Sequence, residues 1–407
     1  MTSAHCIIIG GSHAGGQLAA ALRPAGWTGS ITMVSDEAHP PYHRPPLSKA
    51  YLQGGKTVAE LLVRPADFYA KQDVELRLNT RVTSLDRANK QVILADGSAL
   101  TYTKLALATG ARVRRANLPG ESLQGVHYLR DLADVDRIRP YLQAGKRAVV
   151  IGGGYIGLEA AASLRALGMG VTVVEAMPRI LQRVTAPEIS AFFTRVHREE
   201  GVELLVDTKV AGFEGDTAVT GVTCADGTTL PADLVIVGIG VLPNVELAQE
   251  AGLEVQNGIC VDAYARTSDP DIVAAGDCTF HHNPIYDSQL RLESVQNAND
   301  QARVAANTLC GKLEAYKALP WFWSDQFNVK LQIAGLSSGY DRVVARGDLS
   351  QGRSGALFYF KGERLLAVDA MNSPREFMMA RKALGAGQTA DPVKVADLEI
   401  PIGECFG

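Results

Sequence analysis

The sequence has few cysteines, and none of them belongs to a short paired motif. The six cysteines of the 407-residue chain are scattered and form no C-x-x-C spacing. This distribution predicts neither a metal site nor a dense disulfide framework. Reduced, buried thiols are typical of a long chain of this kind, so we expect a cytoplasmic protein.

Long apolar runs and a strong charge imbalance are also missing. No run reaches the roughly 18 uncharged residues that a membrane-spanning helix needs, so we expect no membrane span. The first ten residues lead directly into a strand-like run, from which we expect no signal peptide. The net charge of −4 gives no general attraction to nucleic acid or to an anionic membrane. A composition of 46% hydrophobic and 21% charged residues is typical of a globular protein, here long enough for two or three domains.

What the sequence does contain is one strand–turn–helix–strand pattern that occurs twice. The parts of the first copy are, in order, the apolar strand 6–9, the glycine-rich turn 10–16, the helix 17–23 and the strand 31–34, which ends before Asp36. The parts of the second copy are the strand 148–151, the turn 152–157, the helix 158–167 and the strand 171–174, which ends at Glu175. This repeat predicts two parallel-sheet units that each bind a dinucleotide.

The spacing of glycines and acidic residues gives the chemical reason for this prediction. Glycines permit the tight turn, the approach of backbone N–H groups to a pyrophosphate and the close packing of helix on strand, and an acidic residue further along binds a ribose. The offsets are 36 − 10 = 26 and 175 − 152 = 23 residues. Ser12 stands where the first copy should have its second glycine. Glu175 favours NADH over NADPH, although Arg179 and Arg183 close behind leave that preference open.

A proline-rich segment and several later motifs carry further information. In residues 39–49, four prolines set an extended backbone that presents Arg44 to a pyrophosphate and Lys49 to a flavin ring. A rigid surface loop with solvated charges explains this segment equally well. The other motifs are Ala-Thr-Gly at 108–110, the run into Gly-Asp at 271–278, Glu-Ser-Val-Gln-Asn-Ala at 293–298 and Pro-Trp-Phe-Trp-Ser-Asp-Gln at 320–326.

Together these motifs resemble the two-dinucleotide-fold flavoprotein reductases, and within them the ferredoxin reductases of oxygenase systems. The resemblance extends from residue 7 to about residue 381. It implies an α/β fold with two Rossmann-like dinucleotide-binding domains, for FAD and NAD, and a C-terminal α+β domain. The implied domains are a discontinuous FAD domain (1–112 and 243–320), an NAD domain (113–242) and a C-terminal domain (321–407).

The resemblance also implies which residues contact each cofactor. The residues implied for FAD are Gly10, Ser12, Ala14, Gly15, Asp36, Arg44, Lys49, Val82, Thr109, Gly110, Asp277, Val295, Gln296 and Trp323. The residues implied for NADH are Gly152, Gly154, Tyr155, Ile156, Gly157, Glu159, Glu175, Arg183 and Gly240. Lys49 at the reactive edge of the flavin and Glu159 at the nicotinamide are the implied catalytic residues. No metal site is implied.

The implied function is transfer of electrons from NADH through bound FAD to a 2Fe-2S ferredoxin. That ferredoxin would serve a cytochrome P-450 monooxygenase or a Rieske dioxygenase. Basic residues suited to an acidic ferredoxin are Arg303, Lys330 and Arg381, for which ordinary solvated surface charge is an equally good interpretation. No cysteine occurs between Cys6 and Cys224, which argues against thiol chemistry beside the flavin. The alternatives are a rubredoxin reductase, an NADH oxidase and a redox-sensing flavoprotein that resembles apoptosis-inducing factor.

Overall fold

The structure, a computed structural model, describes residues 4–407 of the chain. It contains two compact units, each built from three separate stretches of sequence. The first unit takes the chain up to His43, Val58–Arg112 and Leu242–Pro320, and the second takes Arg44–Thr57, Val113–Val241 and Trp321–Gly407. The short stretch Arg44–Thr57 belongs to the second unit, although the sequence-based domain boundaries place it in the FAD domain. The three-domain division stays a prediction.

Strands and helices are distributed over the whole described chain. The strands within residues 4–407 are β1 His5–Ile9, β2 Ser30–Val34, β3 Val74–Arg77, β4 Val82–Asp86, β5 Gln91–Leu94, β6 Ala99–Thr101, β7 Lys104–Leu107, β8 Ala111–Val113, β9 Val126–Tyr128, β10 Arg147–Ile151, β11 Gly170–Val174, β12 Val202–Leu205, β13 Val210–Glu214, β14 Gly221–Cys224, β15 Thr229–Pro231, β16 Leu234–Val237, β17 Val241–Pro243, β18 Ile259–Val261, β19 Ile272–Ala274, β20 Thr279–Asn283, β21 Ser288–Leu290, β22 Trp321–Gln326, β23 Val329–Gly335, β24 Arg342–Arg346, β25 Gly355–Lys361 and β26 Arg364–Met371. The α-helices are α1 His13–Ala25, α2 Val58–Leu61, α3 Phe68–Lys71, α4 Leu132–Ile138, α5 Tyr155–Ala166, α6 Pro187–Glu199, α7 Glu246–Glu250, α8 Val295–Leu309, α9 Pro374–Gly385 and α10 Pro392–Ala396. Short 3-10 helices cover Pro45–Ser48, Arg139–Tyr141 and Ile402–Glu404.

The first unit is organised around a five-stranded parallel sheet with the strand order β19-β7-β1-β2-β3. Helices α1 and α8 bury an apolar face on one side of it, where Leu18 and Leu22 pack in the same cluster as Ala302 and Ala305. Antiparallel strands β4, β5 and β6 contribute to the cluster on the other side. Because both faces are covered, the central strand β1 is apolar from Cys6 to Ile9 rather than alternating.

The second unit contains a second five-stranded parallel sheet, in the order β12-β11-β10-β16-β9. It also contains a five-stranded antiparallel sheet in the order β22-β23-β26-β25-β24. Helix α9 buries Phe377 and Ala380 beside this antiparallel sheet. The two parallel sheets have the same plan, in which the glycine-rich turn follows the central strand and leads into a helix.

The structure extends most of the elements predicted from the sequence by a few residues. Helix α5 begins at Tyr155 rather than Leu158, because Gly154 already has the extended backbone of an N-cap. Helix α1 begins at His13 in the same way, after an extended Ser12. The motif around Trp323 is an edge strand, β22, of the antiparallel sheet. Among residues 4–407, no helix has both the length and the apolar character needed to cross a membrane.

Candidate functional site

The two glycine-rich turns have nearly identical backbone geometry. Gly10 has φ +111° and Gly152 has φ +107°, values that L side chains rarely adopt. A Cβ at Gly10 would lie 2.1 Å from the Ala108 carbonyl oxygen, and one at Gly152 would lie 2.3 Å from the equivalent oxygen of Gly238. Glycine is therefore required at both positions by the turn itself and by the neighbouring strand.

The last glycine of each turn is required for a different reason. A Cβ at Gly15 would lie 1.9 Å from the carbonyl oxygen of Gly10, and one at Gly157 would lie 2.1 Å from that of Gly152. These contacts bring the first turn of each helix against the end of its strand. The N-terminal amides of α1 and α5 consequently face the space above the strand ends, where a pyrophosphate would bind.

The position between these glycines distinguishes the two turns. Gly154 has φ −83° and ψ 178°, and a Cβ placed on it would meet nothing within 4 Å. Ser12 occupies the same position with φ −114° and ψ −154°, an extended conformation open to any residue. The serine therefore costs no backbone strain. The open space over Gly154 allows the closest approach of backbone to a bound phosphate.

The acidic residues that follow β2 and β11 are held differently. The Glu175 carboxylate accepts hydrogen bonds from the backbone N–H of Gly153 (2.7 Å) and of Met177 (2.8 Å). The Asp36 side chain is 63% exposed, with Arg81 at 3.9 Å as a distant ion-pair partner. The carboxylate of the second unit is thus already fixed against its glycine-rich turn.

Basic residues behind Glu175 bear on the choice of nucleotide. Arg179 donates hydrogen bonds to the Ser190 hydroxyl (2.5 Å) and the Gln182 carbonyl (3.1 Å). Its guanidinium is therefore already engaged by protein groups, which disfavours its binding to the extra phosphate of NADPH. Arg183 is exposed. Glu175 and the turn therefore form a site suited to an unphosphorylated ribose.

Several other residues predicted for FAD lie around the first turn, within the first unit. A Cβ on Gly276 would be 3.0 Å from Ala14 Cβ and 3.8 Å from Ala298 Cβ, so the loop that carries Asp277 lies against the starts of α1 and α8. Val295 and Gln296 begin α8, and Gln296 donates a hydrogen bond to Asp300 (2.8 Å). Val82, 8% exposed, belongs to the separate antiparallel sheet of this unit.

Asn244 is a positioning residue in the first unit that the sequence patterns did not reveal. Its side-chain amide donates to the Thr109 carbonyl (2.8 Å), and its own carbonyl accepts from the Thr109 hydroxyl (2.7 Å). Its backbone N–H donates to the Gly110 carbonyl (2.9 Å). Asn244 therefore fixes the Thr109–Gly110 bend that follows β7. A single asparagine outside any motif gives no signal in one sequence.

Lys49 and Glu159, the predicted catalytic pair, meet in the second unit. Lys49 Nζ lies 2.6 Å from Glu159 Oε2 and 3.2 Å from the Pro45 carbonyl oxygen, and the two side chains are 17% and 5% exposed. The rigid 3-10 turn Pro45–Ser48 fixes the start of this segment. A nearly buried carboxylate of this kind requires such a partner.

Two further residues of the second unit complete the surroundings of Glu159. The Ser48 hydroxyl donates to Glu159 Oε2 (2.6 Å), and the Ser324 hydroxyl donates to Glu159 Oε1 (2.7 Å). Ser48 and Ser324 were inside predicted motifs, but no role was predicted for either. The first turn of α5 thereby contacts the proline-rich segment and strand β22.

Tyr155 and Ile156, both predicted to contact NADH, are the first two residues of helix α5. The Ile156 side chain is 43% exposed despite being apolar. The Tyr155 hydroxyl is buried without a hydrogen-bond partner, and its ring lies 4.8 Å from that of Phe322. Burial, and to a lesser degree the nearby Asp369 carboxylate, raises the pKa of Tyr155 well above its ordinary value. Gly240, with φ +104°, again has nothing within 4 Å of a hypothetical Cβ.

Arg44, Lys49 and Trp323 belong to the second unit, whereas the other residues predicted for FAD belong to the first. Arg44 donates a hydrogen bond to the Arg130 carbonyl (2.8 Å), and the Trp323 ring lies 5.7 Å from that of Trp321. Their contacts with FAD, like that of Lys49, stay predictions.

The basic residues predicted for the partner are divided between the units. Arg303 of the first unit forms an ion pair with Asp300 at 2.6 Å. In the second unit the Arg381 guanidinium lies 5.3 Å from the centre of the Trp321 ring, and Lys330 is exposed on β23. Their role in partner binding also stays a prediction. Within residues 4–407, no group of three His, Cys, Asp or Glu side chains is arranged to hold a metal ion.

The residues around the two turns fit dinucleotides. Neither α1 nor α5 has an acidic residue in its first turn, so no carboxylate of the helix itself competes for the N-terminal amides. The open space above Gly154 and Gly240 is what a bound pyrophosphate and nicotinamide would fill. The second unit thus fits an NAD-type ligand, and the equivalent backbone of the first unit fits the adenosine diphosphate half of FAD.

Comparisons with known proteins agree with this geometry. Residues 4–302 match the family described as pyridine nucleotide-disulphide oxidoreductase, and residues 321–406 match the reductase C-terminal family. The chain is 47% identical to putidaredoxin reductase CamA of Pseudomonas putida, over 98% of this chain and 96% of that protein. It is 42% identical to the 5,5'-dehydrodivanillate O-demethylase ferredoxin reductase subunit of a Sphingobium strain, over 98% of this chain and 97% of that protein. The crystal structure of the covalent putidaredoxin reductase–putidaredoxin complex superposes with a TM-score of 0.96 at 46% identity. The match covers 99% of this chain and 98% of the chain in that structure.

These similarities confirm three predictions made from the sequence. The fold class is confirmed, with Rossmann-like parallel sheets and a distinct C-terminal region. The resemblance to the ferredoxin reductases of oxygenase systems is confirmed as well. The predicted enzyme class, a flavoprotein oxidoreductase that uses FAD and a pyridine nucleotide, is confirmed at the level of the family.

Proposed function

Because the chain belongs to the pyridine nucleotide-disulphide oxidoreductase family, we propose that it is an NADH-dependent ferredoxin reductase. It would pass electrons from NADH through FAD to a 2Fe-2S ferredoxin of a cytochrome P-450 or Rieske oxygenase system. Relatives that are named as reductases of such small electron carriers support this proposal over nearly the whole chain.

The observations that carry the proposal are the glycine-rich turn that occurs once in each unit and the nearly buried Lys49–Glu159 pair of the second unit. Two turns with the same glycine constraints fit two dinucleotides. The thiol that disulfide reduction would require is missing from this part of the second unit, since Cys224 is its first cysteine. When bound, FAD accepts hydride from NADH and releases electrons one at a time.

The residues of the second unit position the nucleotide. The amides at the start of α5 and the turn Gly152–Gly157 hold the pyrophosphate. The Glu175 carboxylate, which is already held in place by the backbone, accepts hydrogen bonds from the adenosine ribose. Glu159, at the same helix start, orients the nicotinamide. Hydride transfer needs no general acid or base, so accurate positioning is what the protein contributes.

The residues of the first unit hold the second dinucleotide. The turn Gly10–Gly15 and the start of α1 hold the pyrophosphate of FAD, and Asp36 binds its adenosine ribose. Asp277 and the start of α8 lie close to that turn and bind the polyol of the cofactor.

Anaerobic stopped-flow spectroscopy tests the proposal. NADH should bleach the flavin of the purified yellow protein, and a 2Fe-2S ferredoxin should then restore the oxidised spectrum rapidly. Rubredoxin at equal concentration serves as the comparison, because a rubredoxin reductase is the strongest alternative. If rubredoxin or oxygen reoxidises the flavin and ferredoxin does not, the proposed acceptor is wrong although the flavin chemistry stands.

The proposed partner surface has its own test. Arg303→Glu and Arg381→Glu should each slow ferredoxin reduction at low ionic strength, by about three- to tenfold, because rim charges steer the encounter of the two proteins. Reduction of the flavin by NADH should be unchanged. Lys209→Glu, at an exposed lysine that is not among the predicted partner residues, is the matched control. Equal rates and equal salt dependence in all four proteins would remove these residues from the proposal.

We also propose a cytoplasmic location. All six cysteines are free, and four of them (Cys6, Cys224, Cys278 and Cys405) are buried. Free thiols in this number are typical of a reducing compartment.

A further inference from the structure

A chain of buried polar side chains leads from Glu159 into the second unit, beyond the residues assigned to nucleotide binding. The Ser324 hydroxyl lies 2.7 Å from Glu159 Oε1, Gln326 Nε2 lies 3.1 Å from the Ser324 hydroxyl, and His197 Nε2 lies 2.8 Å from Gln326 Oε1. Ser324, Gln326 and His197 are each 0% exposed. Burying three polar groups in series is costly unless each one is satisfied, so the arrangement requires an explanation.

The direction of every hydrogen bond in this chain follows from the chemistry of its atoms. Burial lowers the pKa of His197 to about 4, so its ring is neutral at ordinary pH. Because Gln326 Oε1 only accepts, His197 donates through Nε2, and the Gln326 amide then donates to Ser324. The Ser324 hydroxyl has one proton, which is therefore directed at Glu159 Oε1. The chain acts as a one-way relay that ends in a donor to the carboxylate.

The relay determines how much hydrogen-bonding capacity Glu159 has left. A carboxylate offers about four acceptor positions. Oε2 already accepts from Ser48 and Lys49, at 2.6 Å each, and Oε1 accepts from Ser324. By this count one acceptor position remains, on Oε1. A carboxamide N–H fits this position, because a carboxylate oxygen accepts a hydrogen bond from an N–H donor and repels another acceptor.

We propose that Ser324, Gln326 and His197 are positioning residues that orient the Glu159 carboxylate so that its remaining acceptor position binds the carboxamide N–H of the nicotinamide. The inference rests on the proposed NADH site. It adds specificity for the carboxamide, supplied by residues from strand β22 and helix α6 that touch no nucleotide themselves.

Binding measurements on the oxidised holoprotein test this inference. Ser324→Ala removes the donor to Oε1, so that the carboxylate is held through Oε2 alone, by Ser48 and Lys49. Calorimetry should show NAD⁺ binding weakened about tenfold, the scale of one charge-assisted hydrogen bond. The analogue 3-acetylpyridine adenine dinucleotide has an acetyl group in place of the carboxamide and no N–H to donate. Its binding should change by less than about twofold, because it makes no use of the oriented acceptor.

The comparison needs a control for the loss of a buried hydroxyl. Ser373→Ala provides it, because Ser373 is 9% exposed, lies in the same unit and has its hydroxyl 3.2 Å from that of Ser354. Both ligands should bind this variant as they bind the unmodified protein. Equal weakening of NAD⁺ and the analogue by Ser324→Ala would overturn the proposal, as would unchanged binding of NAD⁺.

A second variant at the far end of the relay covers the case in which Ser324→Ala does not fold. His197→Phe keeps an aromatic ring against Phe327 but removes the Nε2 donor. It should weaken NAD⁺ binding about threefold, less than Ser324→Ala because two residues, Gln326 and Ser324, separate His197 from the carboxylate, and it should spare the analogue. Equal weakening of NAD⁺ and the analogue, or no effect on NAD⁺, would overturn the relay. If the unmodified protein binds no NAD⁺, the proposed NADH site itself fails, and a negative result with ferredoxin leaves this test intact.

Discussion

The two glycine-rich turns share a backbone but hold their acidic residues in different ways. In the second unit, Glu175 is fixed by two backbone N–H groups before any nucleotide arrives. In the first unit, Asp36 is largely exposed, with its nearest cation at 3.9 Å. A site that must exchange its ligand at each turnover gains from a carboxylate fixed in advance. A cofactor that stays bound can itself order the carboxylate, because the conformational entropy of that side chain is then lost only once, when the cofactor binds.

Alanine at the first glycine of each turn should have the largest effect and separate the two sites. Gly152→Ala places a Cβ 2.3 Å from the Gly238 carbonyl oxygen on a backbone with positive φ. The protein should keep its FAD, yet NADH should reduce the flavin at least about a hundredfold more slowly. Gly10→Ala should instead yield protein without FAD. Cofactor content and stopped-flow bleaching measure both effects, and reduction by dithionite verifies that the Gly152→Ala flavin is intact.

Had the two turns exchanged roles, these outcomes would be reversed. Gly26→Ala is a useful reference because that glycine also has positive φ but no atom within 4 Å of a hypothetical Cβ. It should cost stability, which thermal unfolding measures, without discriminating between the cofactors.

Neutralising each acid should have an intermediate effect that sharpens the comparison. Glu175→Gln should weaken NADH binding about tenfold and narrow the preference over NADPH, because the charge that repels the extra phosphate is lost. Asp36→Asn should lower retention of FAD only about threefold, since the exposed side chain gains less from its ligand contact. Titration of NADH and NADPH, and dialysis of FAD, give the two values. Equal losses at both sites would contradict the idea that Glu175 is fixed in advance.

Exchanging the residue between the glycines should have the smallest effect. Gly154→Ser makes the second turn like the first, and its extended backbone and open surroundings allow the serine without strain. We expect unchanged thermal stability and NADH binding weakened about two- to fivefold, because the hydroxymethyl group occupies space next to the pyrophosphate. Ser12→Gly is the reciprocal change and should leave FAD bound. A large loss of stability in Gly154→Ser would show that the turns differ by more than this residue.

The sequence predicted the parts of the molecule that depend on local pattern. Buried parallel strands appear as continuous apolar runs, and the first and last glycines of each turn are conspicuous because positive φ or lack of space excludes other residues. Lys49 and Glu159 were named as a pair only through the resemblance to a family. Ser48, Ser324, Gln326 and Asn244 were missed because their roles arise from contacts between residues far apart in the chain. Such contacts leave no periodic trace in a single sequence.

The boundaries of the units have a further consequence for the synthesis of the chain. The first unit begins with β1 and α1, but the edge strand β19 and the helix α8 that covers Leu18 and Leu22 come after residue 270. Until α8 leaves the ribosome, the apolar face of α1 lacks the helix with which it makes most of its contacts, although β1 and β2 are already present. Most of the second unit is translated in this interval, so the two units are synthesised in alternation, and the first is complete only at Pro320. A nascent chain of this design has to protect one exposed face from aggregation for most of its synthesis.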